Sequence, residues 1–242
     1  GSVCTFAIGA LLYSSNAMIP LLAQGWFGYS ATDSGMLMSP GATIMVVLIP
    51  VSAKWILPNL PTRSVLGFGF FAMGCASLFA SHLTPGIDFW TLATFRALQT
   101  IGFAFLFVPC SILSYTTMAR MLQRDATALY SMFRNIGGAV GISLATATVA
   151  SRMQSHRSDL SAHLTPLEPV YVGRLAQYEA VLRDLGVSGD RVHGMALGML
   201  NKALDFQAAV LAYADVYAYF AIIAFVVVPT TFLFRPGVAG RR

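Results

Sequence analysis

The sequence predicts an all-α membrane protein with six transmembrane helices. Charged residues make up only 10% of its 242 residues, against roughly 25% in soluble domains. Four long stretches contain no Asp, Glu, Lys or Arg, and two more contain one such residue each: Cys4–Ala23, Ser34–Ala53, Ser64–Ile87, Ala97–Ala119, Ala126–Ala150 and Ala208–Phe234. Because a helix of about 20 apolar residues crosses the hydrocarbon core of a bilayer, each stretch is long enough to span a membrane.

We expect residues 1–242 to form one six-helix unit, and a long loop, 152–206, to follow the fifth span. The predicted spans cover residues 4–24, 33–54, 64–83, 89–114, 126–150 and 208–234. The first span is not a signal peptide, because it lacks a basic flank and a small-residue cleavage pattern. Two parts of the loop have helical patterns, and the second part begins near Arg191 and runs into the last span.

The distribution of Lys and Arg predicts the orientation. The short connections 25–33 and 82–89 contain neither residue, whereas the other side of the predicted bundle contains Lys54, Arg63, Arg120, Arg124, Arg235, Arg241 and Arg242. Because cytoplasmic loops are enriched in Lys and Arg, we expect both termini in the cytoplasm and the loop 152–206 outside. The net charge of +5 is scattered, so we expect no nucleic-acid partner.

The first predicted helix carries a polar stripe, because Asn16, Pro20 and Gln24 follow at i, i+4 and i+8. Two interpretations remain open. The polar side chains bond to neighbouring helices while Pro20 kinks the helix, or the stripe lines a polar cavity. In the second predicted helix, Thr32 or Asp33 is the expected N-cap.

The fourth and fifth predicted helices each contain an intramembrane arginine. Arg96 lies about two turns into the fourth, and Gln99 continues its face. In the fifth, Arg134, Gly138 and Gly141 share one face. The pair Gly137 and Gly141 also has the spacing that lets two membrane helices approach closely.

Arg134 lies about 12 Å into its helix from residue 126, within reach of the headgroups for a snorkelling side chain. It either snorkels, or acts in cavity chemistry or gating, as intramembrane ionisable residues commonly do. We favour a bridge from Arg134 to helix carbonyls or to Gln99. The substrate-cavity candidates are Asn16, Gln24, Gln99, Tyr130, Arg134 and Asn135, and the structural or gating candidates are Pro20, Arg96, Gly137, Gly138 and Gly141.

The sequence does not indicate an enzyme. An active site needs acids, bases, nucleophiles or metal ligands gathered at one depth, and the inner thirds of the predicted helices contain no such pattern of Asp, Glu, His and Cys. We therefore predict no catalytic residues, no metal site and no cofactor. We expect the four histidines, His82, His156, His163 and His193, to be solvated loop residues.

Several motifs carry a resemblance to a known family. "IPLLAQGWFGYSATDSGMLMSPG" resembles the ninth-to-tenth helix signature of the fourteen-helix EmrB/QacA drug:proton antiporters of the major facilitator superfamily. "DFWTLATFRALQTIGFAFLFVP" and "RNIGGAVGIS" resemble the twelfth and thirteenth helices of that family, and "LAYADVYAYF" resembles the last. Two departures stand out: the turn "KWILPNLPTR" lacks the usual acidic residue, and Thr100 replaces a usual glycine.

The resemblance implies the C-terminal six helices of a proton-coupled multidrug efflux transporter in a bacterial inner membrane, without a cofactor. It implies as partners the missing N-terminal helices, a periplasmic adaptor protein, an outer-membrane channel, lipophilic small molecules and protons. Two alternatives remain open: a major facilitator transporter for another lipophilic or small organic solute, and a non-transporting membrane scaffold.

Overall fold

The computed structural model describes residues 2–115, 123–162, 164, 168–189 and 191–232. Its helices are α1 (Ser2–Gly25), α2 (Ala31–Val51), α3 (Thr62–Ala80), α4 (Phe89–Tyr115), α5 (Gln123–Ala162), α6 (Pro169–Asp184) and α7 (Arg191–Thr231), and a π-helical turn, Ser52–Ile56, prolongs α2. In this part of the chain, six helices are long and apolar enough to cross a membrane. The predicted fold class, an all-α membrane protein, is confirmed. Arg120 and the basic tail residues Arg235, Arg241 and Arg242 lie outside the described residues.

Helix α2 begins two to three residues earlier than the sequence patterning indicated. Its N-cap is Ser30, whose hydroxyl accepts a hydrogen bond from the backbone N–H of Asp33, while the Asp33 carboxylate accepts one from the backbone N–H of Ser30. This reciprocal pair is a capping box. The expectation of Thr32 or Asp33 as N-cap was therefore wrong, because Asp33 is the N3 member of the box.

Helix α5 extends well beyond its predicted span, and the predicted helix that runs from near Arg191 into the last span is confirmed. Helix α5 continues to Ala162, and α7 starts at Arg191, so much of the segment 152–206 is helical. The sequence between Ala150 and Ala162 contains neither Gly nor Pro, the residues that most strongly end helices. With α6, these extensions form a helical cap of described residues 151–162 and 168–207.

The bundle is organised by a few close helix pairs. Helix α1 packs mainly on α5, α2 packs on α4, and α3 lies between α4 and α7, while α7 also contacts α5 and α6. Helix α1 makes only a narrow contact with α2 and α4. A seam therefore separates the α1–α5 pair from the α2–α4 pair.

Aromatic contacts show which connections share one end of the bundle. Phe27, after α1, makes an edge-to-face contact with Phe206 of α7 at 5.3 Å between ring centroids. Tyr29, before α2, lies 5.9 Å from Phe89, the first residue of α4. The α1–α2 connection, the α3–α4 connection and the cap therefore lie at the same end, which we call the cap end.

Candidate functional site

Arg96 joins two helices at the seam between the α1–α5 and α2–α4 pairs. It is only 8% exposed, and its Nη1 donates a hydrogen bond to Gln99 Oε1 at 3.0 Å. Its Nη2 donates to Asn16 Oδ1 of α1. Three of the candidates from sequence thus meet at one point, which we call the Arg96 junction (Asn16, Arg96 and Gln99).

Helix α2 comes close to this junction because it carries a glycine there. A Cβ added to Gly41 would lie 2.5 Å from the hydroxyl oxygen of Thr100 and 3.3 Å from Cγ of Arg96. These distances are shorter than or at the limit of ordinary carbon contacts. The Thr100 hydroxyl instead donates to the carbonyl of Arg96 at 2.8 Å. Any larger residue at position 41 would push α2 away from α4.

Pro20 loosens the backbone of α1 beside the junction. Proline has no N–H, so the carbonyl of the residue four positions earlier loses its helical donor, and here that residue is Asn16. Helix α1 nevertheless runs without a break from Ser2 to Gly25. Asn16 is half-buried. Its side-chain oxygen accepts a hydrogen bond from Arg96, and its backbone carbonyl lacks the helical donor that Pro20 cannot supply.

The junction contains more hydrogen-bond donors than acceptors. Arg96 carries five N–H donors and makes the two side-chain hydrogen bonds given above. Its Nε and the Nε2 of Gln99 are buried without a partner among the described residues. No carboxylate pairs with Arg96 in the described part of the chain. The guanidinium charge is therefore held by neutral amide oxygens.

The glycine face of α5 packs against α1 at backbone contact distance. A Cβ added to Gly137 would lie 2.3 Å from the carbonyl oxygen of Phe6, and one added to Gly141 would lie 2.6 Å from Cα of Ala10. Gly138 faces the ring of Tyr13. The structure therefore places these three glycines in a helix–helix interface, and their proposed part in gating stays a prediction.

Arg134 lies on α5 away from the Arg96 junction. It is half-buried, and the carbon at the centre of its guanidinium lies 5.9 Å from the ring centroid of Tyr130, within the range of a cation–π contact. Gln99, which we expected as its bridging partner, bonds to Arg96 instead. Asn135 and Gln24 are exposed, and the structure brings neither to the junction.

A largely apolar groove of about 470 Å³ lies between α1, α5 and α7. Its walls include Phe6, Ala10, Leu144, Tyr219 and Ile223, and of the candidate residues it contains only Gly141. This groove and the Arg96 junction are therefore separate features of the bundle.

An ionic cluster that we did not predict joins α5 to α7 at the cap end. One oxygen of Asp215 accepts hydrogen bonds from Arg152 Nε at 2.6 Å and from His156 Nε2 at 2.8 Å. Arg157 Nε lies 2.6 Å from Asp205 Oδ1. Because the sequence interpretation ended the fifth helix at residue 150, the shared helical face of Arg152 and His156 at i and i+4 was missed.

The helices of the cap are also joined by a carboxylate. Glu179 of α6 accepts hydrogen bonds from His193 Nδ1 of α7 at 2.8 Å and from Arg183 Nη2 at 2.9 Å. These bonds, mainly the one from His193, hold the pKa of Glu179 below its usual value. The expectation that His156 and His193 are loop residues was wrong, since both lie in helices and bond to carboxylates.

Comparison with known proteins shows similarity to membrane transporters over most of the chain. It is 27% identical to the colistin resistance protein EmrB of Acinetobacter baumannii over 93% of the chain and 43% of that relative. It is 25% identical to the multidrug export protein EmrB of Escherichia coli K12, over 86% of the chain and 40% of the relative. The chain is 21% identical to the uncharacterized MFS-type transporter YhcA of Bacillus subtilis, over 90% of the chain and 41% of that relative.

The chain spans less than half the length of these relatives. No protein-family model matches it. The similarity to several EmrB proteins confirms the resemblance noted from sequence motifs, to the EmrB type of major facilitator transporter. With its six long apolar helices, the chain is a multi-pass membrane protein.

Proposed function

Because the chain is similar in sequence to EmrB-type major facilitator transporters, we propose that it is the C-terminal half of a proton-coupled multidrug efflux transporter. Such a transporter would be the inner-membrane component of a tripartite efflux system. The relatives named as multidrug export and MFS-type transporters support this proposal. So does the bundle itself, since half of such a transporter is a set of helices that rocks against a second set.

The observation that carries the proposal is the pair of unpartnered helix faces on α2 and α5. On α2 the exposed face includes Gly35, Ser39 and Thr43, which follow one another at i, i+4 and i+8. On α5 it includes Asn135 and Ser143. Membrane helix interfaces are enriched in such small and hydroxyl-bearing residues, whereas a lipid-facing surface does not need them. These faces fit a second helix bundle.

A second bundle would also supply what proton coupling requires. Coupling needs a titratable group that both sides of the membrane can reach, and such groups commonly lie in the core of transport proteins. Asp33 caps α2, Asp88 precedes α4, and Asp215 belongs to the cluster at the cap end. We therefore assign the coupling acid to the remainder of the transporter.

The charge distribution of the sequence supports an orientation for this half. With Lys54 and Arg63 on the cytoplasmic side, the cap end faces the periplasm. The cap, at 151–162 and 168–207, is then the part of the chain that a periplasmic adaptor protein could reach. The multidrug substrate class is taken from the relatives, and transport of another lipophilic solute is the second candidate.

The test compares efflux by the full-length transporter with and without a disturbed α2 face. Ser39→Leu enlarges a small residue of that face and should cut drug efflux by about tenfold or more, because it separates the two bundles. The control is Cys75→Leu, which also replaces a small side chain with leucine at an exposed position, here on α3, and which should leave efflux near wild type. Equal efflux by both variants would contradict the second-bundle interface.

A second experiment tests whether the 242-residue chain alone can carry out proton-driven drug transport. Vesicles that contain only the 242-residue chain should not accumulate drug against a gradient when a proton gradient is imposed. Vesicles that contain the full-length transporter should do so. Accumulation by the short chain would contradict the assignment of proton coupling to the remainder of the transporter.

A further inference from the structure

We infer that the Arg96 junction is a binding site for the carboxylate of an anionic substrate. The inference deepens the proposed transport function and rests on it for the identity of the bound molecule as cargo. Its basis is the buried guanidinium of Arg96, whose described hydrogen-bond partners are neutral. Two buried N–H donors at the same point, Arg96 Nε and Gln99 Nε2, have no partner in the described structure.

The first step is the balance of charge. An arginine guanidinium does not lose its proton in proteins, and an uncompensated charge inside a protein is strongly unfavourable. Arg96 is 8% exposed inside a membrane bundle, with only Gln99 and Asn16 as side-chain acceptors among the described residues. The site therefore carries one unit of positive charge that an anion would neutralise.

The second step is the balance of hydrogen bonds. Arg96 Nε and Gln99 Nε2 are both buried donors without an acceptor in the described structure. A buried polar group left without a partner destabilises the folded protein. What the junction lacks is acceptor atoms, and a carboxylate supplies two oxygens with four lone pairs. A cation or a further donor would not satisfy it.

The third step is shape. A carboxylate matches the planar fork of a guanidinium and can accept two parallel hydrogen bonds. A Cβ added to Gly41 would lie 3.4 Å from Arg96 Nε, so the glycine leaves the unpartnered Nε uncovered by a side chain of α2. Asn16 is the half-buried member of the junction, whereas Gln99 is fully buried, so a ligand would reach the site from the side of Asn16.

The other arginine of the bundle has a different setting. Arg134 Nε is also buried without a partner in the described structure, but the guanidinium lies over the ring of Tyr130 and the Arg134 backbone packs on Gly9 of α1. The groove between α1, α5 and α7 is almost entirely apolar in its lining. A substrate with both an apolar body and a carboxylate would therefore be recognised through Arg96.

The experiment measures thermal unfolding of the purified 242-residue chain in detergent. Sodium benzoate is the probe, and benzamide with equimolar sodium chloride is the neutral control of the same shape. A ligand that binds only the folded state raises the unfolding midpoint. We expect benzoate to raise it by a few degrees and benzamide to leave it unchanged. Equal effects of benzoate and benzamide would overturn the inference.

Two variants localise the effect. Arg96→Gln should abolish the benzoate shift, whereas Arg134→Gln should keep it, because Arg134 lies outside the junction. Asn16→Asp serves if Arg96→Gln does not fold. It keeps the shape of the side chain and supplies an internal carboxylate to Arg96, so it should raise the midpoint without ligand and remove the response to benzoate. A full benzoate response in Asn16→Asp would contradict the site.

Transport by the full-length protein separates the two proposals. If benzoate binds at Arg96 but the full-length protein transports nothing, the proposed function fails and the site stands. If the full-length protein exports neutral drugs normally and the Arg96→Gln and Asn16→Asp variants export an aromatic carboxylate as well as the wild type does, the transport function stands and the inference fails.

Discussion

Gly9 of α1 lies directly against the backbone of Arg134 of α5, so closely that a Cβ added to Gly9 would lie 2.1 Å from the Arg134 carbonyl oxygen. Gly137 and Gly141 continue the same crossing from the other helix. The arginine is therefore held by glycine-to-backbone contact, and the position of its side chain depends on how closely α1 and α5 approach.

Gly9→Ala should separate α1 from α5 and destabilise the bundle. Overpacking a close contact costs about 1–3 kcal/mol, and this crossing is backbone against backbone, which cannot adjust as a flexible side chain can. The thermal unfolding midpoint in detergent should fall by several degrees. Gly198→Ala is the control, because nothing lies within 4 Å of a Cβ at Gly198. A midpoint for Gly9→Ala equal to that of the control would contradict the close crossing.

Asp215→Asn should weaken the junction of α5 and α7 at the cap end. It removes the charge that Arg152 and His156 share, and partly exposed ion pairs contribute up to about 1 kcal/mol. The unfolding midpoint should fall slightly, and the difference from wild type should shrink in high salt. Asp184→Asn, at an exposed residue of α6, should change neither quantity.

Acid should loosen the packing of α6 on α7 through Glu179. The folded pKa of Glu179 is lowered, so its contribution to stability is present above the unfolded carboxyl pKa of about 4.3 and is lost as the pH falls through the folded value. Hydrogen exchange of the α6 amides, corrected for the intrinsic rate, should therefore accelerate below about pH 4. Glu179→Gln should remove this acid-dependent change, and an unchanged acid response in that variant would contradict the role of the carboxylate.

The fold class and the helices could be predicted because an uncharged stretch of about 20 residues is typical of a membrane-spanning helix. The meeting of Asn16 with Arg96 could not be predicted, since the two residues are 80 positions apart and the sequence does not state which helices neighbour each other. The stripe of Asn16, Pro20 and Gln24 was a correct helical face, but only Asn16 reaches the junction. Gln24 lies one helical turn from Pro20, near the end of α1, and is exposed.

The prediction of Gln99 as a partner of Arg134 was wrong for a related reason, because Gln99 bonds to Arg96. Sequence spacing placed Arg134 on a face with glycines, which suggested a bridge across that face to helix carbonyls or to Gln99. The structure shows that α1 packs on this glycine face, largely backbone against backbone, so Gln99 of α4 does not reach it. Gln99 bonds to Arg96, three residues earlier on its own helix.

The orientation can be tested with single cysteines. In a background with Cys75→Ala, which removes the exposed native thiol while Cys4 and Cys110 are buried, we expect Leu185→Cys in the cap connection to react with an impermeant maleimide added from the periplasm. Asn59→Cys, in the α2–α3 connection, should react only after the membrane is permeabilised. The opposite pattern of labelling would reverse the orientation and remove the cap from the side of an adaptor protein.

Arg134→Lys tests whether that arginine does more than reach the headgroups. If Arg134 only snorkels, lysine can replace it, because a flexible ammonium stem covers the same distance. The position of the Arg134 guanidinium over the ring of Tyr130 favours a planar group, which lysine does not reproduce although it keeps the charge. In the full-length transporter we therefore expect Arg134→Lys to reduce drug efflux several-fold at near-normal expression, and Arg134→Ala to reduce it at least as much. Tyr130→Leu, which removes the ring but keeps an apolar side chain, should lower efflux in the same direction as Arg134→Lys. Wild-type efflux by the lysine variant would support simple snorkelling and exclude Arg134 from the mechanism.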